Sequence, residues 1–248
     1  MAEPAASVAV VLGGTGSIGT AIARRLARPD RALVLGYLED RGRAKAVAAE
    51  LRAHARVVRL VEGNVADPAV RGGIAQAVAD LGGRCHHLVH SVAVTSFKPV
   101  LSVRPAQWDL TFEVSARSLL DVVSALGDPL AAAHGSVVAI SSQGAARFIP
   151  GYGALGPAKA ALESLVRQLA CELAPHGVRV NAVRAGLIDN EVVGRFPAGM
   201  REAVVQRTPL GRLGTPDEVA AVAEFVLGPD AGWITGQVIE VDGGFSLT

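Results

Sequence analysis

Short apolar runs rich in β-branched residues alternate with helix-like segments along this chain, and no other feature limits its fold as much. Ser7–Leu12, Leu33–Leu35, Val57–Val61, His87–His90, Ser136–Ile140, Val178–Val183 and Gln237–Val241 read as seven strands. Between them Thr20–Arg28, Arg43–His54, Pro68–Leu81, Trp108–Leu126, Tyr152–Leu173 and Pro216–Leu227 read as helices, the last with Thr215 as its N-cap. Strands that are apolar along their length are buried on both faces, the mark of a parallel sheet covered by helices. Right-handed crossovers then make an α/β, doubly wound parallel sheet. No repeat, linker or low-complexity tract breaks the order, so a single domain over 1–248 is expected.

Composition removes several functions. Of 248 residues half are hydrophobic, enough for one large core, and the net charge of +1 favours neither nucleic acid nor a membrane surface as partner. Cys85 and Cys171 stand far apart and form no C-x-x-C pair, which fits a reducing compartment. Met1–Ser7 has no basic leader pattern and the apolar run after it is too short for an export signal. A cytoplasmic protein is the expectation. His86, His87 and His90 invite a metal reading, but strand neighbours point to opposite faces, so no metal site is expected.

Ligands of doubly wound sheets bind beyond the carboxyl ends of the strands. Gly13-Gly14-Thr15-Gly16-Ser17-Ile18-Gly19, the His90 segment, Ser141-Ser142 and Ala185-Gly186 each follow a predicted strand and should gather at one edge. The glycines after the first strand permit a tight turn and the approach of a pyrophosphate to the N–H groups of a helix start, as in a Rossmann fold. The end of the second strand, Gly36-Tyr37-Leu38-Glu39-Asp40, should meet the adenosine ribose. Glu39 there repels a 2′-phosphate and can bond a free 2′-hydroxyl, which favours NADH. Arg41 and Arg43 follow closely and would reverse the preference to NADPH if either reached the phosphate.

Tyr152 and Lys159 stand seven positions apart, about two helical turns, and would share one face if Tyr152 opens a helix. A phenol with an ammonium nearby is a proton donor whose anion is stabilised. Taken alone, the pair is equally an ordinary surface Tyr and a solvated Lys. Ser141 and Ser142 can assist by hydrogen bonds or merely cap a strand end.

Taken together these segments resemble the short-chain dehydrogenases/reductases over essentially the whole length. The family's T-G-x-x-x-G-x-G appears as Leu12–Gly19, with Leu12 for Thr and Ser17 for the middle Gly. Arg179–Val183 and Val241-Asp242-Gly243-Gly244 are similar to the family as well. Most members use Tyr-x-x-x-Lys, but the residue four after Tyr152 is Gly156. The Tyr-x6-Lys spacing resembles the divergent enoyl-acyl-carrier-protein reductases instead. So do His90-Ser91-Val92-Ala93 in place of N-N-A-G, Ser115 in place of the helix-four Asn, and Gly144–Tyr152. Ser142 occupies the position ten before Tyr152, where many of that branch carry a second Tyr. Ala185–Asn190 has lost the branch's two prolines, and Asn190 replaces a Thr that would meet the nicotinamide amide or pyrophosphate.

The resemblance implies hydride transfer from a nicotinamide cofactor to the β-carbon of an enoyl thioester on acyl carrier protein or coenzyme A. It casts Tyr152 as stabiliser of the enolate, Lys159 as holder of the nicotinamide ribose, and Ser142 as a helper. It implies cofactor contacts at Gly13, Thr15, Ser17, Ile18, Gly19, Tyr37, Glu39, Asn64, Val65, Ser91, Ile188 and Asn190, and a homotetramer. A substrate flap is expected at about 187–212, with Phe196 and Met200 over the acyl chain; a packed surface helix is the alternative. Arg147 is expected to be solvated or to meet a carrier, and Glu163 to pair with Arg167. Two other readings stay open: a carbonyl or alcohol oxidoreductase with a displaced Lys, and a non-catalytic dinucleotide sensor.

Overall fold

Seven parallel strands form one sheet in the computed structural model, which describes residues 7–94, 96–191, 193 and 199–248. The strands are β1 (Ser7–Leu12), β2 (Arg31–Tyr37), β3 (Val57–Glu62), β4 (His87–His90), β5 (Ser136–Ser142), β6 (Arg179–Ala185) and β7 (Val238–Val241). Their spatial order is β3-β2-β1-β4-β5-β6-β7. The order reverses beside β1, where Leu12 pairs with Gly36 of β2 on one side and with His90 of β4 on the other. A crevice therefore opens beyond the carboxyl ends of β1 and β4, the usual place for a ligand in such sheets.

Alternation along β1 builds both layers of the core. Val8, Val10 and Leu12 face one layer, with Leu119 and Val122 of α5 (Ser118–Ala125) and Leu162 and Val166 of α7 (Leu155–Leu173). Ala9 and Val11 face the other, with Ile22 of α1 (Ser17–Leu26), Leu51 of α2 (Arg41–Leu51) and Val226 of α9 (Pro216–Leu227). The remaining helices are α3 (Pro68–Asp80), α4 (Pro105–Phe112), α6 (Gly127–Ala133) and α8 (Met200–Arg207). Thr215 does cap α9, in a reciprocal capping box with Glu218. No helix among the described residues is long and apolar enough to cross a membrane.

Two expected helices differ. The segment predicted as Trp108–Leu126 begins at Pro105 and passes through a π turn, Glu113–Arg117, between α4 and α5. Two serines account for the irregularity. Ser118 Oγ donates back to Val114 O at 2.7 Å, and Ser115 Oγ accepts from Val94 N at 3.1 Å. Tyr152 does not open α7, which starts three residues later. Its backbone forms a parallel bridge to Lys98, Gly153 N donates to Lys98 O at 3.0 Å, and Gly151 has φ +82°. These extended contacts delay the helix.

The seating of α7 on the sheet is testable. Leu162 is fully buried between that helix and the strands. Leu162→Ala is expected to cost about 2–5 kcal/mol, read from urea unfolding curves. An unchanged midpoint would show that α7 is not seated by this contact.

Candidate active site

The glycine turn closes tightly over the end of β1. A Cβ on Gly13, which has φ +72°, would lie 2.4 Å from Ser91 O, and one on Gly19 would lie 2.1 Å from Gly13 O. Thr20 Oγ1 locks the turn by donating to Gly14 O at 3.0 Å. Gly16 caps α1 with no side-chain hydrogen bond, and the first turn carries no acidic residue. The helix start thus leaves its N–H groups and positive dipole end for an anion. Beside it lies a cavity of 340 Å³ lined by Gly13, Thr15, Tyr37, Asn64, Val65 and Ser91, among others. The chemistry of this lining, an open helix start and a long groove with apolar walls, fits a dinucleotide.

Four further residues expected at the cofactor lie apart from that cavity. Ile188 packs into the core near α9, and Ile18 packs against the same layer. Asn190 Nδ2 donates to Ser17 Oγ at 3.1 Å, tying the loop after β6 to the start of α1. Asn64 does line the cavity, and its Oδ1 accepts from Ala66 N at 3.0 Å in a local turn.

At the adenosine end, Glu39 is exposed, and Asp40 caps α2 by accepting from Arg43 N. Both nearby arginines are held by carboxylates. Arg41 Nε donates to Glu62 Oε2 at 3.0 Å, as does the Tyr37 hydroxyl at 3.0 Å. Arg43 Nη1 donates to Glu191 Oε1 at 2.8 Å.

At the other end β5 delivers Ser141 and Ser142. Ser142 Oγ is buried with no hydrogen-bond partner among the described residues. Ser142 and Tyr152 line one small cavity of 50 Å³, with Met200 and Val204 of α8 and Phe245. The Tyr152 ring tilts against Phe97 at 5.8 Å and lies over Gly144, whose Cβ would come within 2.5 Å of Tyr152 Cδ2. Burial pushes the phenol up to about 12. It therefore holds its proton at neutral pH and acts as a hydrogen-bond donor.

Lys159 is buried, and its Nζ donates to Ile140 O at 2.7 Å and Val92 O at 3.3 Å. Burial pulls the ammonium down to about 8, against the opposing pull of Glu163. His90 Nε2 lies 2.7 Å from Ser118 Oγ, and burial, then the charge of Lys159, lower it to about 3. It is a neutral core histidine. His86 Nδ1 accepts from Val8 N at 3.1 Å, and among the described residues no His, Cys, Asp and Glu side chains gather as a metal site.

Three expectations need correction or fall away. Glu163 pairs with Arg184, not Arg167, and accepts from Ser141. Arg147 is neither solvated freely nor offered to a carrier: its Nη2 donates to Ser246 O at 2.7 Å and its guanidinium lies over Phe245. Phe196 lies outside the described residues. Sequence reasoning also missed Gln143, whose Nε2 donates to Asp242 Oδ2 at 2.5 Å and pins the C-terminal turn beside Ser142. The only signal for it was the position next to a candidate serine.

A seven-stranded parallel sheet with this strand order, a glycine turn opening onto a cavity at the start of α1, Tyr152 beside Ser142 in a second cavity, and a buried Lys159 bonded to the ends of β4 and β5 are the features of an oxidoreductase of the short-chain dehydrogenase/reductase type. The chain belongs to that family: residues 13–246 match the family described as enoyl-(acyl carrier protein) reductase. It is 35% identical over 97% of its length, and 87% of the relative, to the 1-cyclohexenylcarbonyl-CoA reductase of Streptomyces collinus. It is 30% identical, over 98% of both chains, to a 3-oxoacyl-[acyl-carrier-protein] reductase of Synechocystis. The solved short-chain type dehydrogenase/reductase from Mycobacterium ulcerans superposes with a TM-score of 0.91 at 28% identity, covering 97% of this chain and 90% of that one.

The contact of Gly144 with the tyrosine ring gives a prediction. Gly144→Ala is expected to displace Tyr152 and lower turnover by about 10- to 100-fold, with dinucleotide affinity unchanged by fluorescence titration. Wild-type turnover would mean that the ring position is not critical.

Proposed function

We propose that the protein reduces the carbon–carbon double bond of an enoyl thioester. The observation that carries this reading is the meeting of Tyr152 and Ser142 in one cavity, with Lys159 held seven residues on rather than four. The family match and the cyclohexenylcarbonyl-CoA relative support it. When bound, a nicotinamide cofactor supplies the hydride to the β-carbon. The Tyr152 hydroxyl donates to the thioester oxygen as negative charge develops there. The Ser142 hydroxyl, buried without a partner among the described residues, offers a second bond to the same region. Lys159 holds the nicotinamide ribose and keeps the local potential positive. The glycine turn, Thr15 and the start of α1 would hold the pyrophosphate. Met200 and Val204 of α8, which line the same cavity, would meet the acyl group.

The cofactor in this reading is NADH. Arg41 and Arg43 are each held by a carboxylate, and Glu39 stands exposed where a 2′-phosphate would come. The second reading is reduction of a 3-oxoacyl thioester, favoured by the Synechocystis relative. The same hydroxyl pair would serve a ketone oxygen. Oxidation of NADH or NADPH followed at 340 nm with crotonyl thioesters and with 3-oxoacyl thioesters separates the two. Faster turnover of the 3-oxoacyl substrate would overturn the proposal in favour of the second reading.

Two variants test the residue roles. Tyr152→Phe is expected to lower turnover by about 10²–10³ with little change in cofactor affinity, and unchanged turnover would remove Tyr152 from the chemistry. Glu39→Arg is expected to narrow or invert a preference for NADH of about tenfold, since a guanidinium pairs with phosphate. A wild-type preference for NADPH that is lost in Arg41→Ala or Arg43→Ala would assign the phosphate to those arginines.

A further inference from the structure

A row of charges runs from the buried face of α7 past the end of β5 to the exposed Glu240. Ser141 Oγ donates to Glu163 Oε1 at 2.6 Å, and both residues are buried. Arg184 of β6 grips the same carboxylate twice, Nε to Oε1 at 2.8 Å and Nη2 to Oε2 at 2.5 Å. Its Nη1 also pairs with Glu240 of β7. Glu163 stands one helical turn after Lys159 on the buried face of α7. Of the two carboxylates on that helix, Glu163 and Glu172, only Glu163 is buried. Lys159, Glu163, Arg184 and Glu240 thus form an alternating series of charges reaching from the active site towards the sheet edge. Buried pairs of this kind seldom add stability over apolar packing, so a role at the site is the better account of them.

We propose that Glu163 is a positioning residue of the active site. Its carboxylate is the counter-charge of the Lys159 ammonium, and through Ser141 it fixes the end of β5 that presents Ile140 O to Lys159 and carries Ser142. The other groups around Lys159 leave the role to Glu163. His90 of β4 is buried and neutral, and Tyr152 holds its proton. Arg184 and Glu240 lie beyond Glu163. The π turn buries Ser115 and Ser118 while Glu113 and Arg117 are exposed. The consequence for cofactor binding rests on Lys159 serving the nicotinamide ribose, as proposed above; the electrostatic link itself does not.

The chain has three lysines, Lys45, Lys98 and Lys159, so their side-chain signals can be titrated one by one by NMR on the whole protein without added cofactor. Glu163→Gln is expected to lower the Lys159 midpoint by about one pH unit. Arg184→Gln, which leaves the Glu163 charge uncompensated, is expected to raise it. Opposite signs are not what loss of packing would give. If Glu163→Gln does not fold, Glu240→Gln at a partly exposed position is expected to lower the midpoint more weakly, by strengthening the hold of Arg184 on Glu163. An unmoved midpoint in the folded variant overturns the proposal. Cofactor affinity is then compared at pH 6.5 and 8.5. In Glu163→Gln it should fall about sixfold more than in wild type across that interval, as a midpoint moved down by about one unit from about 8 implies. A shifted midpoint with affinity that does not follow would uphold the counter-charge and instead refute the ribose role of Lys159.

Discussion

An ammonium enclosed at the carboxyl edge of a sheet must be bonded by carbonyls and balanced by carboxylates, and Lys159 imposes both demands on its surroundings. Its Nζ bonds the carbonyls of Ile140 and Val92, one on β5 and one just beyond β4. Those two strand ends are thereby held together at the mouth of the site. The charge itself is met across one turn of α7 by Glu163, which in turn draws in Arg184 and Glu240. Leaving such a charge unpaired in the interior would cost several kcal/mol. Tyr152 sits next to this arrangement outside the helix, where its ring is set by Phe97 and Gly144 and not by helical spacing.

The fold was open to reading because each strand is continuously apolar and each helix carries its own stop and start signals. Parallel pairing followed from that alternation, and seven strands form one parallel sheet; their order came from the structure. Boundaries suffered wherever a tertiary contact competed with local pattern. The pattern placed Tyr152 at the start of the helix, yet a bridge to Lys98, 54 positions earlier, keeps it outside α7. The π turn depends on Ser115 reaching Val94 across 21 positions. Glu163 offered an obvious local partner in Arg167 and took a distant one in Arg184, because only Arg184 shares its buried side of the helix. Of the residues expected at a cofactor, Gly13, Thr15, Tyr37, Asn64, Val65 and Ser91 line one cavity, as their places after strands suggested. The Ile188 side chain instead packs in the core.

The loop after β6 joins the two ends of the groove. Asn190 bonds Ser17 at the start of α1, and Glu191 pairs with Arg43 in the first turn of α2. Asn190 and Glu191 thus tie the loop just after β6 to α1 and α2. The Arg43–Glu191 pair joins the start of α2 to that loop.

The destination of the hydride tests the account most directly. A reduced nicotinamide deuterated at its hydride-donating carbon is supplied with an enoyl thioester, and the product is read by mass spectrometry and NMR. Deuterium at the β-carbon of a saturated thioester, lost in Tyr152→Phe, is the predicted result. No label in any saturated product, together with deuterium on the carbinol carbon of a 3-hydroxyacyl thioester made from the 3-oxo compound, would contradict it.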